Sequence, residues 1–298
     1  MRDRERWIDA AIDRVFGLAG DREPSDRRAG LLAFERVLLF HLAVRFALER
    51  FPVERGPAVP SEALAGTFLL CLGLTFVRRL APLALGIAIC AMLVVLEASF
   101  PATSNHFFVE LWLLVLFLVV GFDGEDEARV LLAATRISIA VLLFYTGVQK
   151  ALYGTYFHGQ YLLVEMAIKP TFAAVLGWTL PADELARVLG QLPDRVGAGP
   201  FRTTAPLFLL ASNAVWLFEI AIPVLLLAPR TRRLAVVAVG AFVFAIQSGA
   251  TEIFFGTLLV ACVLLFWPRD LLARAQFVFY AWYALLAVVD LVTDWRFV

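Results

Sequence analysis

Apolar residues fall in long runs broken by short polar stretches, and the lengths of the runs decide what they form. A helix needs about 20 apolar residues to cross a bilayer, with a range of roughly 17–25. Runs of that order occupy residues 31–49, 63–78, 81–99, 106–122, 131–152, 204–228, 234–249, 252–267 and 274–292. The second, seventh and eighth are short, and the last two of those meet at "QSGATE", a tight turn or a break in one tilted helix. The pattern predicts an all-α, polytopic transmembrane helical bundle of about nine spans. Ahead of it, Trp7, Ile8, Ala11, Ile12, Val15 and Phe16 recur at helical spacing with charges on the other face. That predicts an amphipathic helix lying on the membrane surface, joined to the first span by "DREPSDRRAG". The chain divides into residues 1–30, a surface helix and linker, and residues 31–298, one transmembrane domain. One connection is long: the outer loop 153–203, in which "YLLVEMAI" and "DELARVLGQL" predict two short helices separated by Pro and Gly.

Composition agrees with the pattern. The chain has 298 residues, 61% of them hydrophobic, against about half in a soluble domain. A net charge of +0 offers no large basic surface to nucleic acid. Cys71, Cys90 and Cys262 sit inside apolar runs without disulfide or metal-ligand spacing and are read as small core residues. No cleaved signal peptide is expected; the first span directs insertion. Arginines cluster in the N-terminal segment and in loops at Arg78–Arg79, Arg129, Arg230–Arg233 and Arg269. With nine spans these loops share one side, which the positive-inside rule makes cytoplasmic. The N-terminus is then cytoplasmic, the C-terminus outside, and the membrane a bacterial inner membrane.

Ionisable residues inside spans are costly and face protein or water. The topology sorts them by depth. Glu35, Arg36, Arg136 and Glu219 lie toward the cytoplasm, and Arg36 or Arg136 with Glu219 reads as a structural charge pair. Glu97, Asn105, His106, Lys150, Gln247 and Glu252 lie toward the outside, drawn from separate spans to similar depth. His41 is read as a core hydrogen-bonder, and Arg45 as snorkelling or paired with Glu49. Lys150 and Lys169 are the only lysines; every other basic residue but histidine is arginine. Lysine can release its proton when desolvated, and arginine cannot. A dry site without a close carboxylate would make Lys150 a base, with His106 placed to stabilise an oxyanion and Asn105 to orient His106 or cap its helix. Thr146 shares the Lys150 face, and Gly147 permits close helix approach.

"SNHFFVELWLLVLF" followed by "RISIAVLLFYTGVQKALYGTYFHGQYL" resembles the membrane domain of vitamin K-dependent gamma-glutamyl carboxylase and its bacterial relatives, the HTTM family. The residues that carry the resemblance are Asn105 and His106, Arg136, Gly147 to Lys150, Tyr156 and Gly159, with Arg36 and Glu219 further off. The resemblance implies that Lys150 deprotonates a reduced quinone of vitamin K hydroquinone or menaquinol type. O2 would turn the anion into a base strong enough to remove a C–H proton, and CO2 would trap the carbanion. It implies a catalytic role for Lys150 with His106 in the same site; with the residues read above, Asn105 joins them as catalytic, and Thr146, Gly147, Tyr156, Gly159, Gln247 and Glu252 form a candidate substrate or cofactor pocket. It departs at Gln247, where the family has a histidine. It covers the membrane core without the family's lumenal domain, so the substrate is a peptide or a small molecule.

Two other classes fit the same residues. Broken spans and intramembrane charges suit a transporter or peptide-binding membrane protein. Gln247 suits a non-catalytic structural or immunity-type relative. The sequence contains no P-loop, no dinucleotide-binding glycine pattern, no HExxH and no CxxC, and no metal site is expected.

Overall fold

The structure, a computed structural model, describes Ala10 and residues 24–48, 60–100, 105–190, 201–250 and 253–292. Among these residues all regular structure is helical. The helices are α1 (Pro24–Leu48), α2 (Ser61–Thr75), α3 (Ala81–Ser99), α4 (Asn105–Val120), α5 (Glu125–Tyr153), α6 (Gln160–Ile168), α7 (Pro170–Leu176), α8 (Ala182–Leu189), α9 (Pro206–Leu227), α10 (Arg232–Ala250), α11 (Ile253–Leu264) and α12 (Leu271–Val292). The amphipathic helix expected over the first residues lies outside the described ones, as does Glu252.

Each of the nine apolar runs carries a helix. Among the described residues four segments are long and apolar enough to cross a membrane: Arg78–Ser99, Glu125–Tyr153, Pro206–Leu227 and Leu271–Val292. Ser61–Thr75, His106–Val120 and Ile253–Leu264 are apolar but shorter. Two helices begin earlier than hydropathy alone predicts. α1 starts at Pro24 with Asp26 in its first turn, and α5 starts with Glu125, Asp126 and Glu127. Carboxylates there complement the partial positive charge of a helix N-terminus, so polar sequence extends the helix beyond its apolar core.

The chain divides into two compact units, residues 1–137 with 257–298, and residues 138–256. In the first, α1 packs against α2 and α12, and α3 lies between α2 and α4. Its interior holds stacked aromatics, among them Phe46 on Phe68 at 5.1 Å between centroids and Phe34 near Phe117 at 5.6 Å. In the second unit α9 packs on α10, and the segment between α5 and α9 builds a core from Tyr156, Leu163, Met166, Phe172, Phe201 and, at the start of α9, Phe208. That segment has three helices and a 3-10 turn where two helices were expected. Pro170 does not merely separate: it sits at the first position of α7, where its missing N–H costs nothing. Thr171 Oγ1 donates to the Gly249 carbonyl at 2.7 Å and ties α7 to α10.

Candidate functional site

In the second unit Lys150 and Glu219 meet. Lys150 Nζ lies 2.5 Å from Glu219 Oε1. The contact depends on Gly147, one turn earlier on α5. A Cβ there would lie 2.8 Å from Ile220 N and 2.9 Å from Glu219 Cβ, so only glycine lets α5 and α9 come this close. Glu219 is 7% exposed, and its Oε2 is buried with no hydrogen-bond partner. Thr146 stands close to the Glu219 carboxyl, and its hydroxyl donates to the Leu143 carbonyl at 2.8 Å. Pro223 lies inside α9, four residues after Glu219. A proline cannot donate, so the Glu219 carbonyl lacks its helical N–H partner as well. Lys150 Nζ also sits 5.6 Å from the centroid of the Tyr156 ring, which stacks on Tyr161 at 5.0 Å. Gly159 turns the chain with φ +71, and its missing Cβ leaves room for Phe208.

This geometry corrects two expectations. Lys150 has a close carboxylate, and Glu219, expected in a pair with Arg36 or Arg136, holds Lys150. The depth sorting failed for this pair because α5 ends while α9 extends past it toward the α9 N-terminus. After Tyr153 the chain stays beside α9: Ser212 Oγ donates to the Tyr156 carbonyl at 2.7 Å, and Asn213 Nδ2 to the Phe157 carbonyl at 3.3 Å. Lys150 therefore sits beside the middle of α9, not at its outer end. The signal that sequence reading passed over was the pairing of an in-helix acid with a proline four residues on.

In the first unit a second buried network joins α1, α4 and α12. Glu110 Oε1 accepts from Arg45 Nη1 at 2.5 Å and from His41 Nε2 at 2.9 Å. His41 Nδ1 lies 2.9 Å from the Tyr283 hydroxyl. One tautomer satisfies both contacts: Nε2–H donates to the carboxylate and Nδ1 accepts from the phenol. Glu110, His41 and Tyr283 are 0% exposed. Arg45 is buried too and lies over the Phe107 ring at 4.4 Å, so it does not snorkel; Glu49 lies outside the described residues. His106 stands one turn before Glu110 on α4, half-buried, within electrostatic reach of Glu110, Arg45 and His41. Glu110 was absent from the expected residues. It sits in an unbroken apolar run, and only the fold reveals its partners.

The remaining predicted residues are placed as follows. Arg136, 1% exposed, donates Nε–H to the Leu265 carbonyl at 2.9 Å and lies 5.6 Å from the Phe266 ring centroid. The Arg36 guanidinium stacks over Phe76 at 4.1 Å. Glu35 contacts Arg78 at 3.2 Å, and Arg78 also binds Asp123 at 2.6 Å. Asn105 opens α4 and Gln247 lies in the last turn of α10, with side chains outside the described ones.

The class that the helices define is an all-helical protein whose apolar segments fit a lipid bilayer. Compared with known proteins, the chain matches no family model, no curated protein and no solved structure.

Proposed function

We propose that the chain is a nine-span integral membrane protein of the HTTM type, N-terminus cytoplasmic, that performs proton abstraction from a lipophilic hydroquinone at the Lys150–Glu219 pair. The observation that carries this reading is the orphaned Oε2 of Glu219 beside a lysine ammonium. A buried carboxylate oxygen without a partner fits a hydroxyl donor. A reduced quinone, when bound, supplies a weakly acidic hydroxyl whose anion reacts with O2.

The ion pair reassigns the roles that the resemblance implies. An amine held against a carboxylate carries its proton already and cannot take another. Glu219 Oε2 takes the hydroxyl proton, and the O–H electron pair stays on the oxygen. The Lys150 ammonium then balances the negative charge left there, in a setting where water is scarce and the attraction is strong. Tyr156 holds Lys150 from the other side, and Gly147 fixes the distance.

The test is O2-dependent oxidation of a reduced menaquinone analogue by the full chain in lipid nanodiscs. Glu219→Gln lowers the rate by about 10²-fold or more, as loss of a general base does. Lys150→Ala lowers it as well, whereas Lys150→Arg retains the larger part because the charge survives. Full activity in Glu219→Gln would show that the base lies elsewhere.

The same ion pair favours a second reading, a register-setting contact in a scaffold without chemistry. Under that reading the wild-type chain oxidises no hydroquinone, and replacing both partners by apolar residues of similar volume leaves stability unchanged or higher.

A further inference from the structure

Beyond the hydroquinone site, we infer that Arg36 and Tyr280 in the first unit bind the phosphate of an anionic phospholipid, at the membrane edge marked by the turn between α2 and α3. The inference does not rest on the chemistry proposed for Lys150 and Glu219.

Position comes first. Arg36 on α1 lies over Phe76, the first residue after α2, so its guanidinium is level with the α2–α3 turn. That turn opens the apolar segment Arg78–Ser99, and the end of a membrane-crossing segment lies at the depth of the lipid headgroups. α12 packs against α1 as well. There the Tyr280 ring meets Phe40, one turn from Arg36, at 5.0 Å between centroids, and Tyr280 is within electrostatic reach of Arg36.

The donors come next. Arg36 is half-buried, and its Nε is buried with no hydrogen-bond partner. Glu35, beside it in sequence, contacts Arg78 at 3.2 Å, and Arg78 holds Asp123 as well. Among the described residues no carboxylate forms an ion pair with Arg36. A guanidinium stacked on an aromatic face keeps its N–H donors at the edge, and a phosphate oxygen is the acceptor that fits that edge. The half-buried Tyr280 hydroxyl, which has no hydrogen-bond partner among the described residues, is a second donor.

Charge and surface decide the class of ligand. Glu35 and Asp123 share Arg78, and the neighbouring Arg79 is exposed and forms no ion pair among the described residues. Arg36, Arg78 and Arg79 therefore outnumber the two carboxylates by one, and a singly charged anion is balanced here. Phe76 and Val77 at the turn are exposed, and so is Phe277, whose ring lies 5.9 Å from that of Tyr280. Apolar surface beside the cations suits acyl chains. A phosphodiester that carries chains and no cation of its own meets both conditions, as in phosphatidylglycerol; phosphatidylcholine brings its own cation.

The full chain in neutral detergent is titrated with phosphatidylglycerol or phosphatidylcholine of equal acyl chains, and bound lipid is counted by native mass spectrometry. Phosphatidylglycerol binds about 10-fold tighter, the worth of one charge-assisted contact. Arg36→Gln reduces that preference to about 2-fold or less. Tyr280→Phe weakens phosphatidylglycerol binding about 3-fold or more, the worth of one hydrogen bond. Glu219→Gln changes neither, and millimolar inorganic phosphate does not displace the lipid. Because Arg36→Gln can impair folding, Tyr280→Phe, which keeps the ring on Phe40, gives an independent readout. Equal binding of the two lipids by the unmutated chain means a lipid-facing wall only, which overturns the inference. A preference that survives Arg36→Gln, or an affinity unchanged in Tyr280→Phe, overturns it too. Displacement by inorganic phosphate overturns the lipid as the source of the anion.

Discussion

Lys150 and Glu219 hold each other in an interior where neither charge can stand alone. Removing one partner of a buried pair leaves the other uncompensated, at a cost of about 3–5 kcal/mol. Lys150 is 27% exposed on its side chain and Glu219 9%, so the loss is larger when the lysine is removed. Lys150→Met is therefore expected to lower the midpoint of thermal unfolding in detergent more than Glu219→Gln does. Adding Glu219→Leu to Lys150→Met is expected to recover most of the loss. Gly147 is the other sensitive position. Gly147→Ala puts a methyl group within 2.8 Å of backbone nitrogen, where the neighbour cannot rotate away, and overpacking of this kind costs about 1–3 kcal/mol. A thermal midpoint unchanged by Gly147→Ala would mean that α5 and α9 separate easily. Sequence reading singled out Lys150, Gly147, Tyr156 and Gly159, since a lysine in an arginine-rich chain and glycines in an apolar run stand out by type. It mispaired Glu219 and missed Glu110, because partners of a buried acid depend on how far neighbouring helices overlap along their axes. No residue type encodes that offset.

Helix positions were readable because a bilayer demands long apolar runs, and nine such runs each carry a helix. The ends were less readable. The acidic first turn of α5 and the Pro170 start of α7 are set by helix-terminus electrostatics and backbone geometry rather than by hydropathy. Two predictions belong to this scale. Pro223 frees the Glu219 carbonyl, so Pro223→Ala restores a backbone hydrogen bond and is expected to raise thermal stability while slowing hydroquinone oxidation. Unchanged turnover would exclude a role for the break in α9. Gly159 is left-handed and faces Phe208, with 2.7 Å from its missing Cβ to the ring. Gly159→Ala adds backbone strain and a clash together. It is expected to loosen the outer segment, seen as faster proteolysis between residues 153 and 205, with the α5 helix left intact.

At the scale of the whole molecule, four segments among the described residues meet the length and polarity for crossing a bilayer and three apolar helices fall short of it. Short helices span where the bilayer thins or flanking side chains snorkel. The proposed nine-span arrangement, with the N-terminus cytoplasmic, would place single cysteines at Arg79 and Arg129 on the cytoplasmic face and one at Arg202 outside. In sealed right-side-out vesicles a membrane-impermeant thiol reagent is expected to label only the last, in a chain whose Cys71, Cys90 and Cys262 are replaced. Three buried acids, Glu35 and Glu110 in the first unit and Glu219 in the second, share a design: one carboxylate oxygen is tied to a cation and the other left bare. The account stands on the bare oxygen of Glu219 being the proton acceptor. Its most direct test is the rate of hydroquinone oxidation by Glu219→Gln beside Lys150→Arg, both shown to be folded in nanodiscs. The account predicts a near-inactive glutamine variant and a largely active arginine variant; an active glutamine variant with an inactive arginine variant would contradict it and return the base to Lys150.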